Sequence, residues 1–299
     1  MLRHSVFRSF CLLIPIYALL CAASLAQDVP NGPEPARGFD ARRPQVEYGE
    51  MVTIQYYSPV AEMERSANVI LPPNYDPEKK YPALYLLHGL GGDQNEWLGG
   101  APNEILSNLL AEKKTQPAIV IIPNVRVRHK DVKTPPPFFS TEHFKEFDAF
   151  LEEFQTALKP EIEKRYKIDT RREAQAIAGL SMGGREALHL GVKLAEQFGY
   201  VGAFEPAPGI LPYKDENGLF TEDSFQFPEN LRDDVYVLVV KGSSDNVVGP
   251  WPESYAKALT RAGTDPHFTV YTGGHDFNVW KRSLWLFAQN IFTEKKKNN

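Results

Sequence analysis

The stretch "AIAGLSMGGREAL", residues 176–188, brackets one serine with glycines: Gly179 two before Ser181, Gly183 two after it, and Gly184 behind. Alone, a glycine–serine–glycine triplet at this spacing is weak, arising by chance about once in ten chains of this length. Its setting is more specific. A small, apolar, strand-like run enters it and a helix-like run leaves it. That is the context of a nucleophile elbow, a turn so sharp that the serine backbone is strained and the flanking positions have no room for side chains. Met182 then supplies a backbone N–H at a helix start, where unpaired donors and the helix dipole favour an anion.

A serine hydroxyl becomes a good nucleophile only when a base takes its proton, and the base is a histidine held by a carboxylate. In a strand–turn–helix elbow the chain order is serine, acid, histidine. Beyond the helix that follows Ser181, the histidines are His267 and His275. His267 begins a strand-like run with no glycine around it. His275 lies in "TGGHDFNVW", a glycine-rich loop after the last strand-like run, and is the expected base. The expected acid is Asp245, in the turn after "VYVLVV". Asp233 and Asp234 precede that run, at its wrong end, and Asp276 adjoins the histidine and points elsewhere. A tetrahedral intermediate needs a second oxyanion donor. The loop His88-Gly89-Leu90-Gly91-Gly92 ends another strand-like run, and its Leu90 amide is expected to join that of Met182. His88 precedes the serine and is expected to brace this loop.

Outward from this centre the chain alternates. Strand-like runs appear at "MVTIQYYS", "ANVIL", "PALYLLH", "PAIVIIP", "AQAIAGL", "YVGAFE", "VYVLVV" and "HFTVYT". The first two have no helix between them, and strand–helix alternation follows. This predicts an α/β domain: a mostly parallel eight-stranded sheet with an antiparallel start and helices on both faces. Phe144, Phe147, Leu151, Phe154, Leu158 and Ile162 recur every three or four residues, predicting a helix over 141–166 that Pro160 kinks or restarts. Residues 252–263 and 278–293 also read as helices. No internal repeat appears, so one domain over 48–293 is the simplest division, with a solvated tail at 294–299. Residues 27–47, rich in proline and glycine, read as a flexible linker. The loop 124–140 is long, basic and proline-rich, placed where loops shape sites.

The 299 residues carry a net charge of −5, giving no sign of a nucleic-acid partner. Arg3 and Arg8 lead a short apolar run that ends in small residues, with Ser24-Leu25-Ala26 a cleavage site. This is the layout of a secretory signal over 1–26 and implies a secreted or periplasmic protein. An uncleaved anchor and a lipid-modified Cys21 are the alternatives, but the run is short of the ~20 residues of a span. Cleavage would leave a charge of −5 − 2 = −7 and remove Cys11 and Cys21, the only cysteines. No disulfide, cysteine nucleophile or thiolate metal site would remain, and no membrane contact.

The segments "LPPNYDPEKKYPALYLLHGLGGDQNEW", "AIAGLSMGGREAL", "GSSD" and "GGHDFNVWKRSLW" resemble the esterase family that includes the feruloyl esterases and acetyl xylan esterases of carbohydrate esterase family 1. S-formylglutathione hydrolases and mycolyltransferases are more distant relatives. The resemblance runs from about residue 50 to about 292. It implies an α/β-hydrolase fold, no cofactor and no metal. It also implies Ser181, Asp245 and His275 as triad and the Leu90 and Met182 amides as oxyanion hole. The expected substrate is a small-molecule or polysaccharide ester, feruloyl or acetyl, of the plant cell wall. Trp97, Phe138, Phe139, Phe277 and Trp280 are candidates to line a pocket for a phenolic acyl group; for Trp280 core packing is the preferred reading. The segment 205–220, "EPAPGILPYKDENGLF", and the 124–140 loop depart from the family pattern, so acyl and alcohol specificity do not transfer with the fold. A general short-chain esterase is the rival within the class. A non-catalytic hydrolase-fold domain that binds a glycan or partner is the rival outside it. The sequence does not give the oligomeric state.

Overall fold

A computed structural model describes residues 29–213 and 217–293. Eight strands form one sheet: β1 (Glu50–Ser58), β2 (Met63–Leu71), β3 (Ala83–Leu87), β4 (Ile119–Pro123), β5 (Gln175–Leu180), β6 (Tyr200–Phe204), β7 (Tyr236–Gly242) and β8 (His267–Tyr271). They lie in the order β1-β2-β4-β3-β5-β6-β7-β8. β2 pairs antiparallel with both β1 and β4, and the other pairs are parallel. This is the α/β-hydrolase arrangement, with all eight strands where the apolar runs lie. The central strands are apolar throughout because helices cover both faces. Along β3, Ala83, Tyr85 and Leu87 enter one core while Leu84 and Leu86 enter the other, the two-residue alternation of a strand.

The helices are α1 (Pro102–Ala111), α2 (Thr141–Asp148), α3 (Phe150–Glu153), α4 (Lys159–Arg165), α5 (Met182–Lys193), α6 (Trp251–Arg261) and α7 (Phe277–Ala288). The helix expected over 141–166 is broken into α2, α3 and α4. Between α3 and α4, Phe154–Leu158 forms a π-helical turn in which the Lys159 N–H donates to the Phe154 carbonyl. Pro160 has no N–H to donate and crowds the turn before it, and the wider turn absorbs that mismatch. The apolar stripe survives the break: Phe147, Phe154, Leu158 and Ile162 are fully buried.

Of residues 27–47, expected to be a flexible linker, 27 and 28 fall outside the described residues and 29–47 lie pinned along the domain. The Asn31 and Gly32 amides donate to the Val270 carbonyl at 2.9 and 3.0 Å, and the Asn31 side chain accepts the Val270 N–H at 2.8 Å. Phe39 packs edge-on against Trp285, and Glu34 and Asp40 pair with Arg282 and Lys281. The segment thus caps the open edge of β8, the usual remedy for an unpaired strand edge. The expected signal and tail, residues 1–26 and 294–299, fall outside the described residues. Among the described residues no helix is long and apolar enough to cross a membrane.

Candidate active site

Ser181 sits between the end of β5 and the start of α5 with φ 52° and ψ −118°, a left-handed region costly for a residue with a side chain. The turn is held from two sides: the Ser181 N–H donates to the Phe204 carbonyl at 2.9 Å, and its carbonyl accepts the Ala207 N–H at 3.0 Å. The flanking glycines are a packing requirement. A Cβ on Gly179 would lie 2.4 Å from the Gly183 backbone, and one on Gly183 would lie 2.4 Å from the Leu87 carbonyl oxygen.

The structure brings the three residues selected from sequence order into one chain of contacts. His275 Nε2 lies 2.9 Å from Ser181 Oγ, and Nδ1 lies 2.8 Å from Asp245 Oδ2. The loops bearing them are stitched together, with the Ser244 N–H and Oγ both donating to the Gly273 carbonyl. Asp245 Oδ1 accepts the Val247 and Val248 amides. Burial opposes its ionisation, but the His275 hydrogen bond and charge outweigh that and hold the carboxyl below the usual carboxylate range. Asp276 turns away and caps α7, accepting the Asn278 N–H. His267 is exposed on β8.

Leu90 and Met182 both border the cavity above Ser181. Neither amide donates to a protein acceptor among the described residues, so both are open to an anion. The glycine loop bearing Leu90 is fixed by two side chains, the buried His88 and the half-buried Glu96. The Val125 N–H donates to His88 Nε2 at 2.8 Å, which places the His88 proton on Nδ1, facing the Gly89 carbonyl at 2.8 Å. Burial lowers the His88 pKa to about 4, so the ring is a neutral brace. Glu96 Oε2 accepts the Gly89 N–H at 2.6 Å. Sequence reasoning missed Glu96, seven residues downstream, because nothing local marks its return to the loop.

The cavity over Ser181 and His275 measures about 890 Å³. Phe138 and Phe139, at the end of the 124–140 loop, line it as expected. They meet edge to face at 5.4 Å, and Phe138 lies so close over Gly91 that a Cβ there would stand 2.6 Å from its ring. The rest of that loop is not a free basic arm: Val125 and Val127 are core residues, and Arg126 and Arg128 pair with Glu146. Trp280 also lines the cavity, although it is 92% buried, and its ring stands edge-on to His275 at 5.1 Å. Trp97 and Phe277 do not line it. Trp97 is fully buried, donating from Nε1 to the Leu87 carbonyl, and Phe277 packs on Trp97 and over Gly100. Phe277 also meets the cavity-lining Trp280 edge to face at 5.0 Å.

Two further buried groups escaped the sequence reading. Arg185, one turn into α5, lines the cavity and is held by Asp148 at 2.5 Å and by Glu186. Glu205, just past β6, lies beside Asp245 and His275. The clusters Asp148–Glu186–His189 and Glu205–Asp245–His275 have ligand atoms close enough together for an ion. In the first, the Arg185 guanidinium already supplies the cation. In the second, the hydrogen bond from His275 Nδ1 already occupies Asp245 Oδ2.

The model of the Esterase family matches residues 58–288. A ferulic acid esterase of the CE1 class from Anaeromyces mucronatus, solved with ferulic acid, is 36% identical, with a TM-score of 0.81 over 86% of this chain and 96% of that one. An endo-1,4-beta-xylanase/feruloyl esterase of Xylanibacter ruminicola is 29% identical over 87% of this chain and 34% of its own length. The chain spans about a third or less of the curated relatives it matches. A feruloyl esterase module of Clostridium thermocellum, 17% identical with a TM-score of 0.68 over 90% of this chain and 96% of that one, shares the fold. The chain belongs to the Esterase family and has the α/β-hydrolase fold.

Proposed function

We propose that the protein is a secreted or periplasmic serine esterase acting on feruloyl or acetyl esters of plant cell-wall polysaccharide, through Ser181, His275 and Asp245. The observation that carries this reading is the unbroken contact chain Ser181–His275–Asp245 opening into a large cavity. Ser181 Oγ attacks the ester carbonyl while His275 Nε2 takes its proton. Asp245 fixes the Nδ1–H tautomer and stabilises the imidazolium. The Leu90 and Met182 amides receive the oxyanion. His275 then returns the proton to the leaving alcohol, and water repeats the sequence on the acyl-enzyme.

Within the ester class, the size of the cavity and the phenylalanine pair at its rim favour an aromatic acyl group over acetyl, which would leave most of the space unfilled. The relatives named as feruloyl esterases support the same choice. Rates on methyl ferulate, acetylated xylan and p-nitrophenyl butyrate, measured side by side, test it. The expected order of kcat/KM places methyl ferulate first among unactivated esters. A preference for acetylated xylan would overturn the aryl choice, and no hydrolysis of any of the three would overturn the enzymatic reading.

A further inference from the structure

Glu205 is fully buried, at the end of β6, where the backbone adopts φ 50° although the residue is not glycine. Such a conformation is costly and persists where the surroundings enforce it. It turns the side chain under the two loops that carry the triad acid and base. Oε2 stands 3.7 Å from His275 Nδ1, and Oε1 fills the space over Gly242, where a Cβ would lie 2.4 Å from it. Apart from the Gly242 amide, whose contact favours the charged form less than burial opposes it, neither oxygen meets an N–H donor among the described residues. An ionised Glu205 would therefore be a buried, unsolvated charge beside the charge of Asp245, which is expensive. A neutral carboxyl has an O–H to donate, and Asp245 is the acceptor beside it.

Resting on the function proposed above, we infer that Glu205 is a positioning residue that stands as a neutral acid against Asp245 and donates its carboxyl hydrogen to the triad carboxylate. Burial and the Asp245 charge push its pKa up to about 10. The titratable groups facing this corner are Asp245 from the loop after β7, His275 and Asp276 from the loop after β8, and Glu96 across His275. The donated hydrogen bond orients Asp245 toward His275 Nδ1 and spreads the carboxylate charge.

Two measurements test this on the full chain. The first needs no substrate. The unfolded chain releases the Glu205 proton near the ordinary carboxylate value while the folded protein keeps it. Folding therefore takes up a proton above that value, and stability from this group falls as pH rises toward about 10. Glu205→Gln removes the coupling, so its Tm advantage over wild type is expected to widen steadily from pH 5 to pH 9. A constant difference would mean that Glu205 is ionised in the fold and would overturn the inference. The second is the pH profile of kcat/KM on p-nitrophenyl butyrate. Glu205→Gln still donates to Asp245 and is expected to hold the acid limb in place. Glu205→Leu lacks the donor and is expected to move the limb up by about 0.5 pH unit or more. A limb unmoved in Glu205→Leu, or moved down in Glu205→Gln, would overturn the positioning role. A wild type inactive on every ester would instead overturn the proposed function, leaving the Tm result standing.

Discussion

Ser181, Asp245 and His275 lie at the carboxyl ends of three different strands, 64 and 30 residues apart in sequence, yet consecutive atoms of the contact chain are within 2.9 Å. Chain order selects the trio, and the fold places their three strand ends at one rim of the sheet. What order could not reveal is how each side chain is held. Glu205 reads as the polar end of a strand, and its meaning comes from loops that arrive 40 and 70 residues later. Glu96 reads as an ordinary acid on a helix start. Asp245→Asn tests the assigned role of the acid at this scale. The amide keeps the size but no longer fixes the His275 tautomer or stabilises the imidazolium. We expect kcat to fall by about 10²–10⁴ with KM nearly unchanged. A loss below tenfold in steady-state rates would show that another carboxylate serves His275.

At the scale of elements, the periodicities were legible where a segment serves the core and misleading where its contacts are remote. All eight strands fall on the strand-like runs: β3 to β6 are apolar because both faces are buried, while the edge strand β1 alternates buried and exposed residues. The helix around Pro160 was legible as a stripe but not as a π-helical turn, since an apolar spacing does not record which carbonyl each N–H meets. The segment 29–47 has no periodicity of its own, and its partners are remote in sequence, at Glu104, Asn108 and Glu112 on or beside α1 and at Val270, Lys281 and Arg282. If it straps the edge of β8, Asn31→Ala leaves the Val270 amide without its acceptor. The loss is about 1–2 kcal/mol, expected to lower Tm by about 2–5 °C. An unchanged Tm in thermal unfolding would return the segment to the status of a loose linker.

At the scale of the molecule, one sheet divides two cores and brings Ser181, Asp245 and His275 together at one rim. The pocket is less legible. Of five aromatic candidates, Phe138 and Phe139 line it, Trp280 both packs in the core and lines it, and Trp97 and Phe277 pack on each other outside its lining. Sequence supplies an aromatic ring but not the side of the loop on which it lies. The central claim is that the bracketed serine is the nucleophile, activated by His275. Its most direct test is labelling with a fluorophosphonate, followed by peptide mass spectrometry. The account predicts one adduct on Ser181 in the wild type, none in Ser181→Ala, and labelling slowed at least tenfold in His275→Ala. An adduct on a different residue, or an unlabelled Ser181 in folded protein, would contradict it.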